Sequence, residues 1–337
     1  MSTATGMITG IDAYLAAAAG CGGSVSPLLE VLRQTPPGDL LPLPGSGRTA
    51  ERFRGLARVA ALDVTAARVL EPHLDAVAIL AEADAHTPDQ GTTWGVFAAE
   101  APDAVLLAWE EDSRWVLRGR KPWCSLAGEV TSALVTATTA EGGRRMFAVS
   151  LGAPGVTVEP ATWVARGLQE VVSGPVAFDR SPARPIGDEG WYLDRPGFRW
   201  GAIGVAACWW GGCLPVVDAL IARVRKRPDD AIAAARTGEL YRRLDAGRLA
   251  LEDAAARIDS GDVPDAAVLA HAVRGTVADA VIATVEAARD VLGPAALAFD
   301  EALARRCADL ELYVSQYHRG RDDASLAGHL AGGLLAW

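Results

Sequence analysis

The chain has 337 residues, half of them hydrophobic, and its 42 acidic and 32 basic residues give a net charge of −10. This length is enough for two or three domains with a large core, and the composition is that of a globular protein rather than a disordered one. The acidic balance argues against nonspecific nucleic-acid binding and against an anionic membrane surface, although a local basic patch could still bind an anionic substrate.

The five cysteines are odd in number, and no pair of them has the spacing of a metal site. Free thiols are typical of a reducing compartment, so we expect a cytoplasmic protein without a zinc or iron–sulfur centre. The N-terminal segment lacks the basic region of a secretory signal, which agrees with that expectation.

Residues 1–90 are predicted to form an N-terminal helical domain. Apolar residues recur with helical spacing in 11–19, 27–32 and 51–85. The polar run at 86–91 is typical of a loop and marks the expected end of this domain.

Residues 91–188 change character and are predicted to form a middle β domain. Short runs of β-forming residues are separated by glycine and proline turns, which favours an antiparallel barrel or sandwich. The predicted strands cover residues 94–97, 105–109, 115–117, 132–136, 146–150, 156–159 and 176–179.

Residues 189–337 are predicted to form a C-terminal four-helix bundle from long helical patterns at 201–224, 236–258, 264–292 and 302–317.

The stretch Trp200–Val217 carries no charge and reaches the length that nominates a membrane span. Its glycines and Pro215 make it only weakly apolar. We therefore expect a buried helix with a small-residue face, and no membrane span.

The most informative motif is GRKPWCSLAG at Gly119–Gly128. It resembles the G-x-K-x-W-[IC]-[TS] segment of the acyl-CoA dehydrogenase family. The resemblance implies FAD as the cofactor, with Trp123 packed against the flavin ring and the Ser125 hydroxyl bonded to it. From these residues alone, the alternative is an ordinary turn after a strand, with Trp123 as part of the core.

Further segments extend the resemblance over essentially the whole chain. Trp94–Pro102 is similar to the family's flavin segment, which implies that the backbone at Phe97, Ala98 and Ala99 faces the cofactor. Arg305–Asp309 is similar to the family's R-x-x-R-D helix start. The implied fold has an N-terminal helical domain, a middle antiparallel β-barrel or sandwich and a C-terminal four-helix bundle.

The chain also departs from the family pattern around the cofactor phosphates. No threonine precedes Glu100, no Gly-Ser pair follows it, and the family's R-x-x-F-G segment is missing. Arg242, Arg243 and Arg248 are candidates to replace that segment. Alternatively, these arginines form a solvated helix face.

The position of the catalytic base differs as well. Where many members have Y-E-G, this chain has Tyr317-His318-Arg319-Gly320. The resemblance therefore implies His318 as a general base, because an imidazole can accept a proton at neutral pH. The alternatives are that His318 is an ordinary polar residue near a helix end, or that Glu311 is the base.

The function implied by the resemblance is FAD-dependent α,β-dehydrogenation of an acyl thioester. The first alternative is a flavin monooxygenase of the same fold. The second is a degenerate, non-catalytic subunit that pairs with a complete dehydrogenase subunit. We expect a homo-oligomer, or a hetero-oligomer with such a related subunit, associating through the small-residue helix and the apolar tail Leu326–Trp337.

Overall fold

The computed structural model describes residues 10–85, 88–102 and 104–333. Helices come first, a β-barrel follows, and a helical bundle completes the described chain. This order confirms the three-part fold predicted from the sequence. The expected boundaries at 90/91 and 188/189 fall between regular elements, while His86, Thr87 and the last residues of the predicted apolar tail, 334–337, lie outside the described residues.

The N-terminal helices pack as one layer against the bundle and the barrel edge. They are α1 (Ile11–Gly20), α2 (Ser26–Gln34), α3 (Thr49–Leu62) and α4 (Val64–Glu82). Helices α3 and α4 meet at Asp63, which has an extended backbone and caps α4 by accepting a hydrogen bond from the Ala66 amide at 3.1 Å. An aspartate at this position satisfies an amide that the first helical turn leaves unpaired.

The middle region is a closed barrel with two added strands. The strands are β1 (Trp94–Phe97), β2 (Leu106–Glu111), β3 (Arg114–Ser125), β4 (Ser132–Thr139), β5 (Arg144–Ser150), β6 (Val156–Val158) and β7 (Ser173–Ile186). The ring runs β4–β2–β3–β7–β5 and closes through the β4–β5 pairing. The predicted barrel is confirmed, but β1 and β2 pair with β4 in parallel, whereas the other pairings are antiparallel.

The C-terminal region is helical throughout. Its helices are α5 (Trp191–Asp194), α6 (Pro196–Lys226), α7 (Ala231–Ser260), α8 (Ala266–Ala287), α9 (Gly293–Phe299), α10 (Glu301–Val314) and α11 (Arg319–Ala331). A π-helical turn at Ala288–Leu292 joins α8 to α9. The four long predicted helices correspond to α6, α7, α8 and α10.

Helix α6 is the buried helix expected from the uncharged stretch. Its small-residue face packs inside the protomer, because a Cβ at Gly211 would lie 2.1 Å from the carbonyl oxygen of Ala57 on α3. Only glycine allows that approach, so this face is not the self-association surface that the sequence suggested.

Two helical stretches in the described chain, Pro196–Lys226 and Ala266–Phe299, are long and apolar enough to span a membrane. In their most apolar windows, 61% and 44% of the residues are buried inside the protein. The core helix of a soluble bundle has the same length and composition, and these two helices pack against each other within the bundle.

A buried ion cluster joins the three regions. The Arg305 guanidinium of α10 donates to the Asp63 carboxylate at 2.8 Å and lies 3.6 Å from the Asp309 carboxylate. Asp309 in turn accepts a 2.6 Å hydrogen bond from the backbone amide of Leu168, in the loop before β7. A Cβ at Gly167 would lie 2.0 Å from the carbonyl oxygen of Ala308, so this loop rests directly on α10.

The neighbouring Arg306 ties α10 to α3. Its guanidinium donates to the carbonyl oxygens of Ala60, Ala61 and Leu62 at the end of α3, at 2.8 to 3.0 Å. These carbonyls lack partners within their own helix, and a cation at a helix C-terminus is favourable. The position of α10 is thereby fixed against both the N-terminal layer and the barrel loop.

Replacing Asp309 by alanine should lower the free energy of unfolding by about 2–4 kcal/mol, because it leaves the Leu168 amide and part of the Arg305 charge without a partner. Urea unfolding followed by circular dichroism measures this. The matched control is Glu301→Gln, which alters an exposed carboxylate beside the same Arg305 and should cost less than about 1 kcal/mol. Equal losses in the two variants would contradict the anchoring role.

Candidate functional site

A cavity of about 590 Å³ lies where the three regions meet. Its size is within the range of small-molecule sites, roughly 300–1,000 Å³. The cavity is lined from α4, from β1, β3 and β7, from the loop before β7, and from the end of α10. The lining residues are Arg68, Val96, Ala99, Glu100, Trp123, Ser125, Trp163, Leu168, Val171, Ser173, Leu312, Tyr313, Ser315, Gln316 and His318.

The barrel side presents an indole and two hydroxyls. Ser125 ends β3 and Ser173 begins β7, and their register places them opposite each other with the hydroxyl oxygens 2.8 Å apart. Trp123 lies at an irregularity of the same pairing, with a φ of 57° and 60% of its surface exposed. Backbone strain of this kind concentrates at ligand sites, and the exposed indole forms a wall of the cavity.

The segment after β1 contributes differently from residue to residue. The Phe97 side chain is buried in the core at 1% exposure, and Ala98 packs beside the second, smaller core cluster. Ala99 and Glu100 follow the strand and line the cavity. Glu100 forms an ion pair with Arg144, so its carboxylate is already partnered. Of the three residues predicted here, the structure brings Ala99 to the cavity.

The end of α10 supplies the residues that face the barrel across the cavity. His318 is exposed at the N-cap position of α11, and its backbone amide donates to the Asp322 carboxylate at 3.1 Å. The structure therefore brings His318 to the same cavity as Trp123 and Ser125, which were predicted from a different motif. Glu311 is exposed on α10 and does not line the cavity.

Helix α4 contributes a charge that no sequence motif indicates. Arg68 donates to the Ser125 hydroxyl at 3.1 Å, and its guanidinium lies 5.8 Å from the centre of the Tyr313 ring. Glu71, one turn further on, lies 3.6 Å from the same guanidinium. The sequence does contain one indication of this site. Arg68 and Glu71 are two charged residues three positions apart in a helix that is otherwise mostly apolar, and charged side chains are rarely buried unless they are paired.

Glu71 belongs to a buried charged network between α3, α4 and α8. Burial raises the pKa of the Glu71 carboxyl to about 7, opposed by the positive charges of Arg68, Arg52 and Arg274 and assisted by Asp75. At neutral pH this carboxyl is therefore only partly ionised. It follows that Glu71 compensates the Arg68 charge incompletely.

The cavity fits the ring system of a flavin better than it fits the cofactor's phosphates. Trp123 offers an aromatic wall. The Ser125 hydroxyl accepts from Arg68 and bonds to Ser173, which itself donates to the Val171 carbonyl, so Ser125 keeps one lone pair that can accept a hydrogen bond from the ring. Near the segment after β1, Arg144 is already engaged by Glu100. The described residues thus provide for the ring, while no free cation is evident there for a diphosphate.

The candidate substitutes for the missing arginine segment lie elsewhere. Arg243 pairs with Glu239 at 2.8 Å, and Arg248 pairs with Asp245 at 2.7 Å and Glu252 at 2.8 Å, all along α7. Arg242, Arg243 and Arg248 do not line the cavity. Arg243 and Arg248 are paired with carboxylates along α7, and a role of the three arginines at the cofactor of a neighbouring subunit, where the family's segment acts, stays a prediction.

Within residues 10–85, 88–102 and 104–333, no group of histidine, cysteine and carboxylate side chains is arranged to hold a metal ion. The free cysteines are all buried. Metal chemistry therefore has no candidate ligand set in the described part of the chain.

Comparison with known proteins identifies the C-terminal region. Residues 188–314 match the family model "Acyl-CoA dehydrogenase, C-terminal domain". No curated protein matches the chain.

Solved structures match over nearly the full length. Butyryl-CoA dehydrogenase from Megasphaera elsdenii has a TM-score of 0.78 at 15% identity, over 96% of this chain and 99% of that chain. FMN-bound TdsC from Paenibacillus sp. A11-2 has a TM-score of 0.79 at 14% identity, over 97% of this chain and 98% of that chain. A nitrososynthase from Micromonospora carbonacea var. africana has a TM-score of 0.74 at 20% identity, over 97% of this chain and 94% of that chain. At these identities the likeness shows a shared fold.

The raised pKa of Glu71 predicts a pH-dependent stability difference. Because the folded-state pKa, about 7, is above the ordinary value of 4.5, the stabilisation from the protonated carboxyl is present at low pH and is lost as the pH rises towards 7. Relative to Glu71→Gln, the wild type should therefore lose about 1–3 kcal/mol of unfolding free energy between about pH 5 and about pH 8.

Chemical unfolding at the two pH values measures this difference. The control is Glu51→Gln, which changes an exposed carboxylate on α3 and should follow the wild type at both pH values. A Glu71→Gln curve that runs parallel to the wild type across this range would contradict the assignment.

Proposed function

The chain has the acyl-CoA dehydrogenase fold, and on that premise we propose that it is a flavin-dependent oxidoreductase that dehydrogenates an acyl thioester between the α and β carbons. The observation that carries this proposal is the meeting of Trp123, Ser125 and His318 in one cavity. The first two residues offer a wall and a hydrogen bond for a flavin ring. The third offers a base on the opposite side.

A flavin held against Trp123 and Ser125 would supply the acceptor for the hydride that leaves the β carbon. The chain's own residues do the rest. His318 takes the α proton on its ring nitrogen, and the Ser125 hydroxyl orients the ring by a hydrogen bond. The apolar lining from Val96, Leu168 and Leu312 keeps water from the reacting carbons.

The cofactor is FAD in this proposal, with FMN as the alternative. FMN lacks the second half of the FAD diphosphate, so it needs fewer of the phosphate contacts that are missing after Glu100. FMN is also the flavin bound in the TdsC structure. Separate binding measurements with the two flavins distinguish them.

A flavin monooxygenase is the second candidate, favoured by a specific observation. Glu100 is the carboxylate among the residues that line the cavity, and its ion pair with Arg144 makes it unavailable as a base. A histidine base without a free carboxylate suits deprotonation of a substrate hydroxyl or amine as well as of a carbon. Incorporation of isotope-labelled O2 into product would favour this candidate over dehydrogenation.

Self-association is proposed through the outer faces of the bundle. Ile232 and Tyr241 on α7 and Phe299 at the end of α9 are large apolar residues with 78%, 61% and 89% exposure. Such residues are enriched at interfaces between subunits. The partner in this proposal is a second copy of the chain, or a related dehydrogenase subunit that completes the phosphate site.

Replacing His318 by glutamine should slow flavin reduction by an acyl-CoA about 10²–10⁴-fold, because the base is lost while the cavity keeps its shape. Anaerobic stopped-flow absorption of the flavin-loaded protein measures this rate. His271→Gln is the control, since His271 lies on α8 and does not line the cavity.

The result that would contradict the role of His318 is an unchanged rate in His318→Gln. No bleaching of the wild type by any acyl-CoA, together with substrate oxygenation, would replace the dehydrogenase proposal by the monooxygenase.

A further inference from the structure

Arg68 is a cation inside the candidate site that the proposed reaction does not use. It extends from α4 to the barrel edge, and 14% of its side chain remains exposed. Since Arg68 lines the cavity, this exposed part opens onto the space where a substrate would bind. A charge held in this position costs free energy unless something in the bound complex pairs with it.

The bonding of Arg68 leaves donors free. In the described part of the chain, its one hydrogen bond goes to the Ser125 hydroxyl, and Glu71 lies beyond hydrogen-bonding distance at 3.6 Å. No nitrogen of Arg68 is among the buried polar atoms that lack a partner. The unbonded N–H groups of the guanidinium are therefore accessible from the cavity.

The charge of Arg68 is also incompletely balanced. Glu71 is its nearest carboxylate, and burial holds the pKa of that carboxyl near 7, so the pair is not fully ionised at neutral pH. Arg52 and Arg274 also interact electrostatically with the Glu71 carboxyl, so its negative charge is shared among three arginines. A guanidinium stays protonated in proteins, and its planar fork matches a carboxylate.

We propose that Arg68 binds a carboxylate carried by the substrate, so that the cavity selects an acyl thioester whose acyl chain ends in a negative group. Because Arg68 is bonded to Ser125, the carboxylate would lie beside the Ser125 hydroxyl, on the α4 side of the cavity. This inference rests on the proposed function in one respect, namely that the substrate enters this cavity.

The test compares two acyl-CoAs of equal chain length, pentanoyl-CoA and glutaryl-CoA, which end in a methyl group and in a carboxylate. Isothermal titration calorimetry on the flavin-loaded protein should show glutaryl-CoA bound at least about ten-fold more tightly. In Arg68→Met the preference should disappear. Arg68→Lys should keep part of it, because the charge remains but the fork is lost.

Arg58→Met is the matched control. Arg58 is an exposed arginine on α3 that lines a different groove, so its loss should leave the preference at the wild-type value. Near-UV circular dichroism establishes that each variant is folded. Should Arg68→Met fail to fold, Arg68→Lys decides the question by its reduced preference. Equal binding of the two thioesters by the wild type, or a preference unchanged in the Arg68 variants, would overturn the proposal.

Failure of the thioester assignment has a separate signature. If neither acyl-CoA binds, the acyl-thioester function is contradicted, and glutarate alone then tests Arg68 without depending on flavin or thioester. Glutarate binding that is present in the wild type and lost in Arg68→Met would support the carboxylate site. No glutarate binding to the wild type would overturn it.

Discussion

The Arg305 guanidinium, held between two buried aspartates, is the interaction on which the arrangement of the molecule depends. Asp63 belongs to the junction of α3 and α4, and Asp309 belongs to α10 and binds the loop before β7 through the Leu168 amide. Each aspartate exposes only 2% of its side chain, against 22% for Arg305, so the two carboxylates are shielded from solvent and from salt. One ion cluster thereby joins the helical layer, the bundle and the barrel.

The candidate site follows from that arrangement. Because α10 is fixed against the barrel loop, the residues at its end, including His318, face the edge where β3 ends and β7 begins. The same edge carries non-glycine residues with positive φ, at Trp123, Leu126 and Leu168. Strained backbone persists only where the surrounding structure holds it in place, and here the buried ion cluster does so at the same junction. We infer that the cluster maintains the shape of the cavity.

Much of the fold could be predicted from the sequence because its signals are local. Short β-forming runs between glycine and proline turns gave the barrel, and the small-residue face of α6 predicted the close packing that Gly211 shows against Ala57. Trp123, Ser125 and His318 were predicted from motifs, and the structure brings them to one cavity. Arg68 could not be predicted as part of that cavity, because its contact with Ser125 spans 57 positions and arises only when α4 packs over the barrel edge. A charged residue in a helix otherwise indicates a solvated face.

The proposed function depends on a flavin ring held against Trp123 and Ser125 in this cavity. The most direct measurement is the absorption spectrum of the protein after incubation with FAD or FMN and desalting, for the wild type and for Trp123→Ala. The exposed position of Trp123 makes that substitution mild for folding. Flavin binding in this cavity predicts a retained flavin band in the wild type that is weakened or absent in the variant. A wild-type protein that retains neither flavin would contradict it.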